Sequence, residues 1–222
     1  MRKTSSKRKY TGVTPVIIGL VSILAGCATL VWASDEGKSW TSLFDGKTLN
    51  GWKAMPGGEW KVEDGSIVGK SPESEKRHGM LVSDKEYSDF KVRLKYKAIS
   101  GNSGFYFRAE KVEHAVSVAG FQAEIDSRGN DVGGIYETLG RAWVSRPSKE
   151  LTREAFKPQE WNEMVVHAEG RNVTVHLNGK KTADLKNDKG RIKGFFGLQL
   201  HGGQDMHVLF KDIAIIDLSR SK

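Results

Sequence analysis

Alternation with a period of two recurs along this chain and leaves room for little except strands. Over Phe90–Lys97, the apolar Phe90, Val92, Leu94 and Tyr96 alternate with Lys91, Arg93, Lys95 and Lys97. That is the pattern of a strand with one face on a core and the other in water. Over Gly120–Asp126, Phe121, Ala123 and Ile125 point one way and Gln122, Glu124 and Asp126 the other. This second polar face is unusual, because it carries acids and an amide rather than the Thr, Lys and Ser of a merely solvated face. Two further segments share its character. In Gly104–Arg108, Tyr106 and Arg108 oppose Phe105 and Phe107; in Phe195–His201, Gln199 and His201 oppose Phe196, Leu198 and Leu200. If these strands share a sheet, Arg108, Gln122, Glu124, Gln199 and His201 form one polar floor suited to a small ligand. Three ordinary half-exposed strands are the alternative.

Tight-turn pairs punctuate the alternation. Asp64-Gly65 joins Glu59–Glu63 to Ser66–Lys70, and Asn178-Gly179 joins Arg171–Leu177 to Lys180–Leu185; both pairs favour two-residue hairpins. Trp52 and Trp60 read as buried anchors. Ser71–His78 reads as a charged loop, Gly79–Ser83 as a short strand, and the basic face of Phe90–Lys97 as solvated surface or a face near an anionic membrane. One helix is expected around Ser148–Phe156, ended by Pro158. About twelve to fourteen strands and no β-α-β alternation predict an all-β, two-sheet sandwich of jelly-roll type. The 25 glycines against 5 prolines suit many strands joined by turns.

The N-terminus reads as a targeting segment. A basic stretch, Met1–Gly12, runs into Val13–Ala33, which contains no charge; this order matches a secretory leader. The single cysteine, Cys27, lies in Leu24-Ala25-Gly26-Cys27 and resembles the lipidation site of bacterial lipoproteins. Cleavage after Val31-Trp32-Ala33 is a second reading, and an uncleaved anchor long enough to span a bilayer is a third. All three export the domain: residues 1–33 are the leader, 34–39 a linker and 40–219 the folded unit. The net charge of +8 owes five cations to the first ten residues; without them 30 Lys and Arg face 27 acids, a balance of +3. No basic stripe with interleaved aromatics accompanies it, which argues against nucleic-acid binding.

Several motifs in order resemble the 3-keto-disaccharide hydrolase domain family. They are L-F-D-G-K-T-L-N-G-W at Leu43–Trp52, G-N-S-G-F-Y-F-R at Gly101–Arg108, G-F-Q-A-E-I-D at Gly120–Asp126 and G-I-Y-E at Gly134–Glu137. The series continues with E-W-N-E at Glu160–Glu163, L-N-G at Leu177–Gly179, G-L-Q-L-H at Gly197–His201 and F-K-D-I-A-I at Phe210–Ile215. The resemblance implies a concanavalin A-like sandwich whose concave sheet holds carbohydrate. It further implies hydrolysis of 3-keto-glycosides and, as partner, a sugar 3-oxidoreductase that makes the ketone. Many members carry an acid and then an amide on the central strand; here Gln122 precedes Glu124.

A 3-keto sugar has an acidified hydrogen at C2, so such a site needs a base, an electrophile near the ketone oxygen and an acid for the leaving oxygen. The expected assignments are Glu124 or His201 as base or acid and Arg108 as electrophile. Gln122, Gln199, Tyr106, Tyr136, Glu137, Trp143 and Asp126 are expected to bind substrate, with Tyr136 or Trp143 stacking on a sugar face. Two rival functions remain. One is a lectin-like module that binds glycan without turning it over. The other is an ordinary glycosidase: Glu124-Ile125-Asp126 resembles the start of the E-x-D-x-E strand of laminarinase-like enzymes, but Arg128 or Gly129 stands where the third acid belongs. No cofactor is expected. The six histidines are scattered without zinc-site spacing, and a calcium held around Asp126–Asp131 is left open.

Overall fold

The computed structural model describes residues 39–219. The leader, the linker up to residue 38 and Cys27 lie outside the described residues. Fifteen strands are described: β1 Thr41–Ser42, β2 Trp52–Ala54, β3 Glu59–Glu63, β4 Ser66–Ser71, β5 Gly79–Tyr87, β6 Phe90–Ser100, β7 Asn102–Lys111 and β8 Val118–Asp126, followed by β9 Ile135–Thr138, β10 Ala142–Ser145, β11 Asn162–Glu169, β12 Asn172–Leu177, β13 Lys180–Leu185, β14 Gly194–Leu200 and β15 Met206–Asp217. One helix, α1 Lys149–Ala155, interrupts them. The strand count exceeds the sequence expectation because β1 and β2 are too short to show alternation.

The strands form two antiparallel sheets, a jelly-roll sandwich. One sheet runs β13-β12-β11-β6-β15-β4-β3, with β1 added beside β15; the other runs β10-β9-β8-β7-β14-β5-β2. Phe90, Val92, Leu94 and Tyr96 of β6 are fully buried, as their spacing predicted. They meet the inner face of the second sheet, where Phe105, Phe107, Phe121 and Phe196 are also buried. Phe90 meets Phe196 edge-on at 4.8 Å between ring centroids, and Phe107 stacks on Phe121 at 5.4 Å. Each ring withdrawn from water contributes about 1.5–3 kcal/mol.

Local chemistry sets the turns. Asp64 and Gly65 have φ of 46° and 72°, and Asn178 and Gly179 have 47° and 81°. Both pairs therefore adopt the doubly left-handed turn that matches strand twist. Ser148 caps the helix by accepting a hydrogen bond from the Leu151 amide at 3.1 Å.

One irregularity redirects a side chain. β7 carries a bulge: its register with β8 shifts between Phe107 and Glu110, and Arg108 has φ of 49°. Gly120 and Gly194 permit it. A Cβ on Gly120 would stand 2.7 Å from the Ala109 Cα, and one on Gly194 would stand 2.3 Å from the Ala109 carbonyl oxygen. A bulge adds a residue to one strand and breaks its alternation.

Gly69 is held for a related reason. It pairs across β3–β4 with Trp60, whose ring would lie 2.5 Å from an added Cβ. Gly69→Ala is expected to destabilise the fold by about 1–3 kcal/mol, read as a lowered urea midpoint; an unchanged midpoint would mean that the Trp60 ring relocates freely.

Candidate functional site

The outer face of the second sheet forms an open cleft of about 460 Å³. Strand alternation builds its floor. Asn102 and Tyr106 come from β7, Gln122, Glu124 and Asp126 from β8, Tyr136 and Thr138 from β9, and Gln199 from β14. His201 follows β14 and His78 precedes β5, and the pairing of Leu200 with Gly79 brings the two histidines together. Their ring centroids are 4.2 Å apart.

Glu124 sits at the centre with only 5% of its surface exposed. Gln122 Nε2 donates to its Oε2 at 2.9 Å, and Asn102 Nδ2 donates to its Oε1. Gln122 can lie across the floor because Gly104, its diagonal neighbour, has no side chain; a Cβ there would be 2.5 Å from the Gln122 amide. Burial pushes the Glu124 carboxyl up to about 8, against the Asn102 hydrogen bond and with help from Asp126 and Asp131. The group is therefore protonated at neutral pH, although it lines open space.

The histidines differ from each other. Burial, with His201 and His114 nearby, pushes the His78 imidazole down to about 4, so it is neutral under ordinary conditions. His201 Nδ1 lies 2.8 Å from the Gly202 carbonyl oxygen. A carbonyl can only accept, so this nitrogen carries the proton and Nε2 of the neutral ring is left with its lone pair.

Of the residues expected at the site, Glu124, His201, Gln122, Gln199, Tyr106, Tyr136, Trp143 and Asp126 line the cleft. Tyr106 is fully buried in the floor, with its hydroxyl 2.8 Å from Thr138 Oγ1. Tyr136 and Trp143 meet edge-on at 5.3 Å and form one wall, and Arg146 lies over the Trp143 ring at 4.5 Å. Asp126 Oδ1 accepts from the Arg128 amide at 2.6 Å and so shapes the following loop. Among the described residues, no group of three or more His, Cys, Asp or Glu side chains is arranged to hold a metal ion.

Two expectations are corrected. Arg108 does not face the cleft. The bulge in β7 turns it away, and its guanidinium is buried against the Ser88 carbonyl at 2.7 Å, the Arg191 carbonyl at 3.3 Å and Asp89 at 3.4 Å. Nor does it neutralise Glu124. Glu137 also lies apart: it pairs with Phe121 rather than with the polar residues of β8, and it forms ion pairs with Arg141, which also holds Asp188. Adjacent residues of one strand face opposite ways, so Tyr136 and Glu137 cannot share a cleft.

Sequence reasoning missed His78, Asn102, Thr138 and Gln204. His78 ends a stretch that reads as a charged loop, and it is the long-range pairing of β5 with β14 that brings it to His201. Asn102 stands between glycines in Gly101–Gly104, a composition that favours a turn over a binding residue. Gln204 Oε1 accepts from the Asn102 backbone N–H at 2.9 Å and braces that residue.

The raised Glu124 pKa makes stability fall with pH. The carboxyl keeps its proton in the fold at a pH where the unfolded chain, with a value near 4.5, has lost it. Its contribution is complete below about 4.5 and is lost as pH rises through about 8, at up to about 1.4 kcal/mol per pH unit. Glu124→Gln is expected to remove this dependence, so the variant gains on the parent between pH 5 and pH 8 in paired urea denaturations. Parallel pH profiles would contradict the shift.

Known proteins resemble the chain in sequence and shape. A curated Bacteroides thetaiotaomicron protein named 3-keto-disaccharide hydrolase is 24% identical over 189 residues, 78% of this chain and 59% of the relative. The chain thus spans less than two thirds of that relative's length. A Parabacteroides distasonis structure described as a candidate glycosyl hydrolase superposes with a TM-score of 0.59 at 25% identity, covering 81% of this chain and 94% of that one. The carbohydrate binding module CBM66 from Bacillus subtilis gives a TM-score of 0.58 at 17% identity over 75% of this chain and 95% of its own, which shows a shared fold. The model for the 3-keto-alpha-glucoside-1,2-lyase-like domain matches residues 39–216, and the chain belongs to that family.

Proposed function

We propose that this protein cleaves the glycosidic bond of 3-keto-glycosides or 3-keto-disaccharides by elimination followed by addition of water. One observation carries the reading. A buried carboxyl that keeps its proton at neutral pH shares a small cleft with a histidine whose Nε2 presents a lone pair. Those are the acid and the base that elimination next to a ketone requires. The cleft's volume of about 460 Å³ falls within the ordinary range for small-molecule sites. Family membership and the relative's name support the same substrate class.

In this reading His201 Nε2 removes the C2 proton and Glu124 protonates the departing C1 oxygen. Water then adds, with hydroxyl going to C1 and a proton to C2. Gln122 and Gln199 hold the floor in register, and the Tyr136–Trp143 wall packs against a sugar face. The substrate class implies a sugar 3-oxidoreductase acting upstream. The apolar leader and Cys27 suit an exported, lipid-anchored protein at the bacterial cell envelope.

The test is incubation of the full chain with a 3-keto-disaccharide and, separately, with its unoxidised parent. Monosaccharide is expected from the ketone alone. His201→Ala and Glu124→Gln are each expected to lower kcat by about 10²–10⁴. Because Glu124 must donate a proton, kcat is expected to decline as pH rises through about 8. Binding without release would favour a lectin-like module, equal cleavage of both sugars an ordinary glycosidase, and wild-type rates in both variants would remove the two assignments.

A further inference from the structure

Displacing Arg108 from the cleft leaves the proposed reaction without a group to stabilise charge on the ketone oxygen. A chain of side-chain amides on the floor supplies one. Gln122 Nε2 lies 3.2 Å from the Ser103 carbonyl oxygen. A backbone carbonyl has no proton to give, so the Gln122 atom facing it is the amide nitrogen. The same nitrogen lies 3.3 Å from Gln199, whose facing atom is then its oxygen. The nitrogen end of Gln199 is thereby turned toward Tyr106 Oη at 3.2 Å and His78 Nδ1 at 3.0 Å. His78 Nδ1 accepts from that amide, so the proton of the neutral ring resides on Nε2. Among the described residues, Nε2 makes no hydrogen bond of its own.

The neutral form of the neighbouring ring has the opposite arrangement, with its proton on Nδ1 toward the Gly202 carbonyl and the lone pair on Nε2. Two histidines whose ring centroids are 4.2 Å apart therefore bring one acceptor and one donor nitrogen to the lining of the same cleft. A carbon acid beside a ketone calls for that combination, because the hydrogen to be removed and the oxygen that takes up charge are on adjacent carbons.

We propose that His78 is a catalytic residue, the electrophile of this site, which donates its Nε2–H to the ketone oxygen of a 3-keto sugar while Gln199 and Gln122 act as positioning residues that fix its tautomer. The inference rests on the reaction proposed above. His201 Nε2 takes the C2 proton, and the C2–H electrons form C2=C3 as charge moves onto the C3 oxygen, where His78 holds it by hydrogen bond without giving up its proton. The carbonyl then reforms, C1=C2 forms, the bond from C1 to the leaving oxygen breaks, and that oxygen takes the Glu124 proton. A neutral imidazole suits this role because it polarises the oxygen without protonating it. The titratable groups facing His78 are His201 and His114, and with burial they hold it neutral.

Two measurements on the full chain test the proposal separately from the reaction. Nitrogen-15 NMR of labelled protein without substrate is expected to show His78 as the Nε2–H tautomer, with no titration between about pH 5 and 8. Gln199→Leu should give mixed tautomers. An Nδ1–H ring, or titration near the ordinary value of 6.5, would overturn the proposal whatever the activity. On a 3-keto-disaccharide, His78→Ala is expected to lower kcat by about 10²–10³ with a smaller change in KM and an unaltered thermal midpoint. His78→Gln, which keeps a neutral donor, should recover part of the loss. Wild-type kcat in His78→Ala would also overturn the proposal. If the parent protein turns over no 3-keto sugar, the reaction fails and the catalytic role fails with it, while the tautomer result stands alone.

Discussion

A carboxyl group taken out of water must either find a cation or keep its proton, and among the described residues Glu124 pairs with no cation. Arg108, which the alternation of its strand places on the same face, is spent elsewhere, against the Ser88 and Arg191 carbonyls and Asp89. Among the described residues, the Asn102 and Gln122 amides alone reach the carboxylate, and burial outweighs them. The fold therefore holds a proton in an open cleft at neutral pH. That condition is costly for stability and useful for chemistry, since perturbed acids collect at functional sites.

The scaffold accounts for the rest of the arrangement. β8 is a central strand of its sheet, so its polar residues have neighbours on both sides and its apolar residues press on β6 across the core. Alternation fixes which side chains reach the cleft, and register fixes where. Tyr106 pairs with Gln122, Gln122 with Tyr136, and Leu200 with Gly79. The two histidines lie beyond strand ends, where the Gly202 carbonyl sets the tautomer of His201 and Gln199 of the floor sets that of His78. A rigid floor combined with tunable ends is how many binding folds separate stability from function.

Much of this was legible in the residues. The strict alternation of Gly120–Asp126 identified the floor, and the Asp64-Gly65 and Asn178-Gly179 pairs identified their hairpins, because both signals are local. The position of Arg108 was not legible. It depends on a bulge that exists because Gly120 and Gly194 allow Ala109 to come close, and that contact joins three strands. His78 was hidden for the same reason, since its partners come from β14. Glu137 is a different case: beside Tyr136 in one strand it had to face the other way, and the sequence already contained that constraint.

The most direct measurement is a crystal structure of the Glu124→Gln variant holding a 3-keto-disaccharide. The ketone oxygen should lie within hydrogen-bonding distance of His78 Nε2, about 2.7–3.2 Å, with the C2 hydrogen directed at His201 Nε2 and the glycosidic oxygen beside residue 124. A sugar bound on the outer face of the other sheet, or one in the cleft with its ketone turned away from both histidines, would contradict the proposed site.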